Sequence, residues 1–78
     1  MPKVLIPDKI ARGLLPIVKP LKTFAGLGTG RLCEGCGRSI ALTDLEYELE
    51  FANERTILLH RDCFAIWSQA TGGGVDEP

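Results

Sequence analysis

Cysteine is scarce and odd in number: the chain of 78 residues holds three, with one histidine, one tryptophan, one tyrosine and one methionine. Three cysteines cannot all pair within one chain, which argues against the disulfide framework of small secreted domains. The first residues, MPKVLIPDKIARG, lack the apolar run of ~7–15 residues that a secretory leader needs. No uncharged stretch nears the roughly 20 residues that span a bilayer, so no membrane segment is expected. Repeats and low-complexity segments are missing too. These absences leave a soluble chain expected in the cytoplasm, where cysteines are thiolates or metal ligands. A chain this short buries a small core, so a staple other than a disulfide is expected to complete its stability.

The net charge of −1 conceals an uneven distribution. Residues 1–31 carry six basic residues and one acidic, a net +5, whereas residues 32–78 carry three basic and nine acidic, a net −6. The sequence therefore divides into a basic Pro/Gly-rich arm (1–31), a metal-binding body (32–71) and a tail (72–78) expected to be disordered. Prolines at 2, 7, 16 and 20 leave the arm room for one short helix, with Pro7 in its first turn, Ile10 and Leu14 on one face, and Gly13 or Pro16 at its end. TFAGLGTGR reads as a flexible loop anchored by Phe24. Its glycines do not make a phosphate cradle, because Arg31 stands where G-x-G-x-x-G requires glycine and no G-K-[ST] follows. The arm is free to contact a partner or the chain's own acidic body.

In the body, Leu45, Tyr47, Leu49 and Phe51 alternate with Glu46, Glu48 and Glu50, the period of a strand with one dry and one wet face. Ala52 to Arg55 form a polar turn, and Thr56 to His60 return as the second strand of a hairpin. Cys63, Ile66, Trp67 and Ala70 then share one face of a short helix, capped by Asp62 and ended at Thr71-Gly72. Phe64 and Trp67 are expected to pack against Tyr47 and Phe51.

Cys33-x2-Cys36, then His60-x2-Cys63, supplies three thiolates and an imidazole, a full tetrahedral set for one structural Zn²⁺ with no position left for water. Gly35 and Gly37 let the backbone turn tightly around the ion. Cys63, at a helix start, is expected to gain thiolate character from the helix dipole, and Arg38 and Arg61 to offset the excess negative charge of the filled site. A redox C-x-x-C would need a βαβ setting that the pattern does not provide. A zinc deaminase would need H-x-E ahead of P-C-x-x-C, the reverse of the order here. No catalytic histidine is left, since the one present is a ligand, and no enzymatic activity is expected.

With C-x-x-C-G-x-x-I, Y-E-L-E and H-x-x-C-F-x-x-W in place, residues 33–67 resemble a treble-clef zinc finger. Leu15-Pro16 and the run from Gly26 to Cys33 extend the likeness to a set of small bacterial zinc-finger proteins of uncharacterised function. The H-x-x-C-F-x-x-W ending alone is similar to the poly(ADP-ribose) polymerase type finger. The resemblance implies zinc ligation by Cys33, Cys36, His60 and Cys63. Fingers of the second kind read DNA breaks with basic surfaces, and this body is acidic. The fold expected is α+β, a treble clef of knuckle, β-hairpin and short helix with a Pro-rich N-terminal arm. The function expected is a structural zinc domain that binds another protein; the alternative is a transcription-related finger that binds nucleic acid through the basic arm.

Overall fold

The computed structural model describes residues 5–74. It is an α+β fold in the order α1 (Leu5–Ala11), β1 (Lys22–Leu27), β2 (Leu45–Glu50), β3 (Thr56–His60) and α2 (Arg61–Thr71). The strands form one antiparallel sheet in the order β1-β2-β3. Of the expected disordered tail, residues 75–78 lie outside the described residues.

Helix α1 forms where the sequence allows. Pro7 sits in the first turn, where its missing N–H would have had no intrahelical partner, and Asp8 and Arg12 pair at 3.1 Å across one turn. Gly13, at φ +76°, ends it: its N–H reaches the Ile10 carbonyl while that of Leu14 reaches back to Lys9, a closure that requires a left-handed residue. Leu14 lies beyond this stop and is exposed; the residues that the segment buries are Ile6 and Leu15.

The hairpin follows the alternating pattern. Glu46 to Glu50 of β2 pair with His60 to Thr56 of β3, and the turn between them is closed by the Phe51 N–H on the Arg55 carbonyl, with Glu54 at φ +66°. Leu49, Ile57 and Leu59 are buried on the face toward α2. There Tyr47 stacks on Phe64 with centroids 4.4 Å apart and planes 1° from parallel. Phe51 meets Trp67 edge-on at 6.5 Å, as expected for an aromatic core. Helix α2 ends at Gly72, in the left-handed region as foreseen, but His60 rather than Asp62 holds the N-cap position and Asp62 sits inside the first turn. Ala70 is exposed.

Two expectations fail on the other side of the sheet. Residues 22–27 are not a loop but β1, which pairs with β2 from Lys22↔Glu50 to Leu27↔Leu45, and Phe24 is half exposed instead of anchored. Nor is the glutamate row uniformly wet. Glu46 is buried, at 6% exposure. Its carboxylate accepts the Thr29 N–H at 3.2 Å and the Thr29 hydroxyl at 2.9 Å, and Arg31 lies 3.5 Å away. The glycine-rich segment thus closes over an anion that the chain itself supplies. Gly28 is needed there because a Cβ would collide with the Ala41 carbonyl oxygen.

The described part of the arm packs on the body. Trp67 donates its indole N–H to the Pro16 carbonyl at 2.8 Å, Arg55 reaches the Leu14 carbonyl at 2.7 Å, and Lys9 reaches the Glu34 carbonyl at 2.9 Å. Ile6 presses on Gly35, where a Cβ would stand 3.1 Å from Ile6 Cδ1.

Candidate metal centre

The four residues singled out by spacing converge from three elements. Cys33 and Cys36 lie on a tight knuckle between β1 and β2, His60 ends β3, and Cys63 stands in the first turn of α2. Three sulfurs and one ring nitrogen lie within 4.8 Å of one another, an arrangement suited to a single metal ion. The knuckle is made by the Leu32↔Ser39 bridge, by the Cys33 N–H on the Arg38 carbonyl and by the Gly37 N–H on the Cys33 carbonyl, with Gly37 at φ +79°.

Backbone N–H groups point at sulfur. Cys33 Sγ faces the N–H of Gly35 at 3.3 Å and that of His60 at 3.4 Å, and an N–H of Arg38 faces Cys36. These donors favour thiolates. The side chains of Arg38 and Arg61 are exposed, and Arg61 lies 4.0 Å from Asp62.

The histidine is oriented by a bond that sequence reasoning did not find. Its Nδ1 lies 3.4 Å from Cys36 Sγ and its Nε2 lies 3.1 Å from the Ser39 carbonyl oxygen. A carbonyl can only accept, so Nε2 carries the proton and donates, leaving the Nδ1 lone pair directed at the sulfurs. Metal-bound histidines commonly have such a support. No sequence signal marks Ser39, because the contact is made by its backbone.

The thiols differ in acidity. Burial works to raise Cys36, but the Arg38 N–H, the neighbouring sulfurs and His60 together outweigh it and bring the group from 9.0 down to about 7. Cys63 goes the other way. Burial first, then the negative charge of Cys33 and Cys36, push it up to about 12. The helix dipole expected to favour this thiolate is therefore overridden. Three thiolates this close are compatible only with a cation among them, so the donor set fits a metal ion.

All four predicted site residues are thus brought together. No known protein family, characterised protein or solved structure matches the chain.

Proposed function

We propose that this chain is a treble-clef zinc finger, a structural zinc domain that binds another protein and carries no catalysis of its own. The observation that carries the reading is the convergence of three sulfurs and an oriented imidazole within 4.8 Å. For zinc, bonds of about 2.3 Å to sulfur and about 2.0–2.1 Å to nitrogen at tetrahedral angles imply a sulfur-to-nitrogen edge of about 3.6 Å. The edge from Cys36 Sγ to His60 Nδ1 is 3.4 Å. Cys33 and Cys36 on the knuckle, His60 closing the hairpin and Cys63 on the helix are the treble-clef arrangement. Four protein donors fill the tetrahedron, so the zinc supplies folding energy rather than Lewis acidity. The reduced thiols such a site needs suit the cytoplasm, and among the described residues no helix is long and apolar enough to cross a membrane.

A protein partner is favoured by the surface. Leu21, Phe24, Leu27, Leu32 and Leu42 are all at least half exposed, more apolar side chain than a surface meant only for water needs. The nucleic-acid alternative is weakened by the same arm that suggested it, since Arg12 faces Asp8, Arg31 faces Glu46 and Lys9 is held on Glu34.

Native mass spectrometry and chelation test the metal. One zinc per chain is expected, with loss of the fold on its removal, because binding of structural zinc contributes ~10–16 kcal/mol of apparent free energy. A metal-free chain that unfolds cooperatively overturns the reading. Titration of labelled duplex and single-stranded DNA at two salt concentrations tests the partner class. We expect at most salt-sensitive, non-specific binding, with Kd of ~10⁻⁴ M or weaker near physiological salt.

A further inference from the structure

The sheet has two outer edges, and they are finished differently. Along β3 the Leu58 carbonyl accepts the Glu34 N–H at 2.8 Å and the His60 N–H meets Cys33 Sγ at 3.4 Å, so the knuckle closes that side. Along β1 every residue is exposed, and among the described residues nothing covers the outer side. Gly28 donates to the Asp44 carbonyl, in register with Gly26↔Glu46 and Phe24↔Glu48. Antiparallel ladders alternate, so the even-numbered residues of β1 turn their backbone groups to β2 while Thr23, Ala25 and Leu27 turn theirs outward. The strand, KTFAGL, holds no proline and no charge after Lys22, which are the usual devices that keep an open edge from pairing.

We propose that β1 is the contact of a homodimer, in which two copies pair β1 with β1 antiparallel about a two-fold axis at Ala25 and complete a six-stranded sheet. This rests on the reading of the chain as a protein-interaction module and names the partner as a second copy. The register follows from the residues. Outward backbone groups sit on odd-numbered positions, so only registers that set odd against odd can close the ladder. Centring on Ala25 sets Phe24 across from Gly26 of the second copy, and Gly26 across from its Phe24. Each half-exposed ring then lies over a residue without a side chain, and at Gly26 the space a Cβ would take has nothing within 4 Å. On the opposite face Leu27, 70% exposed, meets Thr23. On the Phe24 face Lys22 lies across from Gly28, where its flexible stem, unlike a rigid ring, can turn away from Ala41 into solvent, so no like charges oppose each other. Moving the axis to Phe24 sets ring against ring. Moving it to Gly26 sets Phe24 against Gly28, where Ala41 already occupies the space. The pattern is self-complementary in one register, as a closed two-fold interface requires.

Sedimentation equilibrium of the metal-loaded full chain, from roughly micromolar to millimolar concentration, is expected to show a reversible monomer–dimer equilibrium. Gly26→Val fills the seat of the facing Phe24, and its Cβ has nothing within 4 Å in its own monomer. It is expected to weaken the dimer at least about tenfold with zinc content and circular dichroism unchanged. Leu14→Ser, which removes an exposed side chain outside β1, is expected to leave the dimer as it was. Amide exchange at Thr23, Ala25 and Leu27 is expected to slow as concentration rises. A zinc-loaded chain that stays monomeric, or that captures an unrelated extended strand on β1, overturns the dimer and leaves the interaction module standing. A dimer that survives Gly26→Val unchanged, or leaves those three amides fast, overturns it as well. A folded dimer without metal keeps the pairing and defeats the zinc reading instead.

Discussion

Replacing Trp67 measures how firmly the arm belongs to the fold. The side chain is 2% exposed, lies 6.5 Å from the Phe51 ring and 6.1 Å from that of Phe64, and binds the Pro16 carbonyl 51 residues away. Trp67→Ala removes the ring and leaves a void between α2, the hairpin and the arm, for which losses of about 3–5 kcal/mol are typical. That is a large part of the ~5–15 kcal/mol stability of a whole domain. Trp67→Phe keeps most of the apolar volume and forfeits the hydrogen bond, worth about 0.5–1.5 kcal/mol, with a small packing loss, so about 1–2 kcal/mol is expected. Urea unfolding followed by far-ultraviolet circular dichroism is the assay, because the tryptophan signal disappears with the mutation. Free zinc must be buffered at one value, since ligand linkage otherwise shifts both midpoints. Limited proteolysis in parallel should show cleavage near Leu14 to Ile17 in Trp67→Ala and little in Trp67→Phe. A loss below about 1 kcal/mol in Trp67→Ala would refute the packing argument. Equal losses in the two variants would show that the hydrogen bond, not the ring, holds the arm.

Glu46→Ala strips the carboxylate from the Thr29 and Arg31 donors and is expected to lose about 1.5–3 kcal/mol, whereas Glu48→Ala, outside that clasp, should change stability by about 0.5 kcal/mol or less; equal effects in urea titrations would refute the clasp. Gly28→Ala must push on the Ala41 carbonyl and is expected to lose about 1–3 kcal/mol, while Gly26→Ala, with open space at its Cβ position, should be neutral within about 0.5 kcal/mol. The thiols predict a pH dependence. Cys63, pushed up to about 12, is protonated in the metal-free fold at neutral pH and must lose its proton on loading. Apparent affinity should therefore fall at least about tenfold per pH unit on acidification from pH 9, and more steeply below about 7, where Cys36 is protonated too. Competition titrations with a chromophoric chelator read the slope, and an affinity flat between pH 6 and 8 contradicts it. In the minor folded population of the metal-free chain, the same raised Cys63 acidity constant favours the fold below pH 9.0 and ceases to do so as pH climbs toward about 12. The depressed group, Cys36, stabilises it above 9.0 and less as pH falls toward about 7.

The cluster of Cys33, Cys36, His60 and Cys63 was legible because metal-binding chemistry leaves a spacing that no packing requirement imitates. The hairpin and α2 were legible because Leu49, Ile57 and Trp67 obey the periods of a half-buried strand and a half-buried helix. β1 escaped for the opposite reason. None of its residues is buried, so no apolar alternation is imposed on KTFAGL, and its strand form comes from the hydrogen-bonding row that β2 offers. Glu46 escaped because alternation assigns polar residues to water, and the partners that bury it arrive from 15 and 17 residues away. Within the arm, Pro7 and Gly13 announced a helix correctly. Which leucine it would bury depended on where the chain turns past Gly13, which leaves Leu14 exposed and Leu15 buried, a detail that helical periodicity does not carry beyond the helix end.

The knuckle's hold on β3 links metal occupancy to the manner in which the chain associates. While Cys33 to Gly35 stay in place, the Leu58 carbonyl and the His60 N–H are satisfied, so in the proposed dimer β1 is the open edge among the described residues and association halts at a closed pair. Loss of the proposed ion is expected to undo the body and to bare the segment TILLH, the most apolar of the three strands. Chains that expose such a segment pair with one another with no closed symmetry to stop them at two. If zinc is the metal and β1 the dimer contact, its depletion turns a self-limiting pair into open-ended aggregation, and precipitate is what chelation at high protein concentration should deliver.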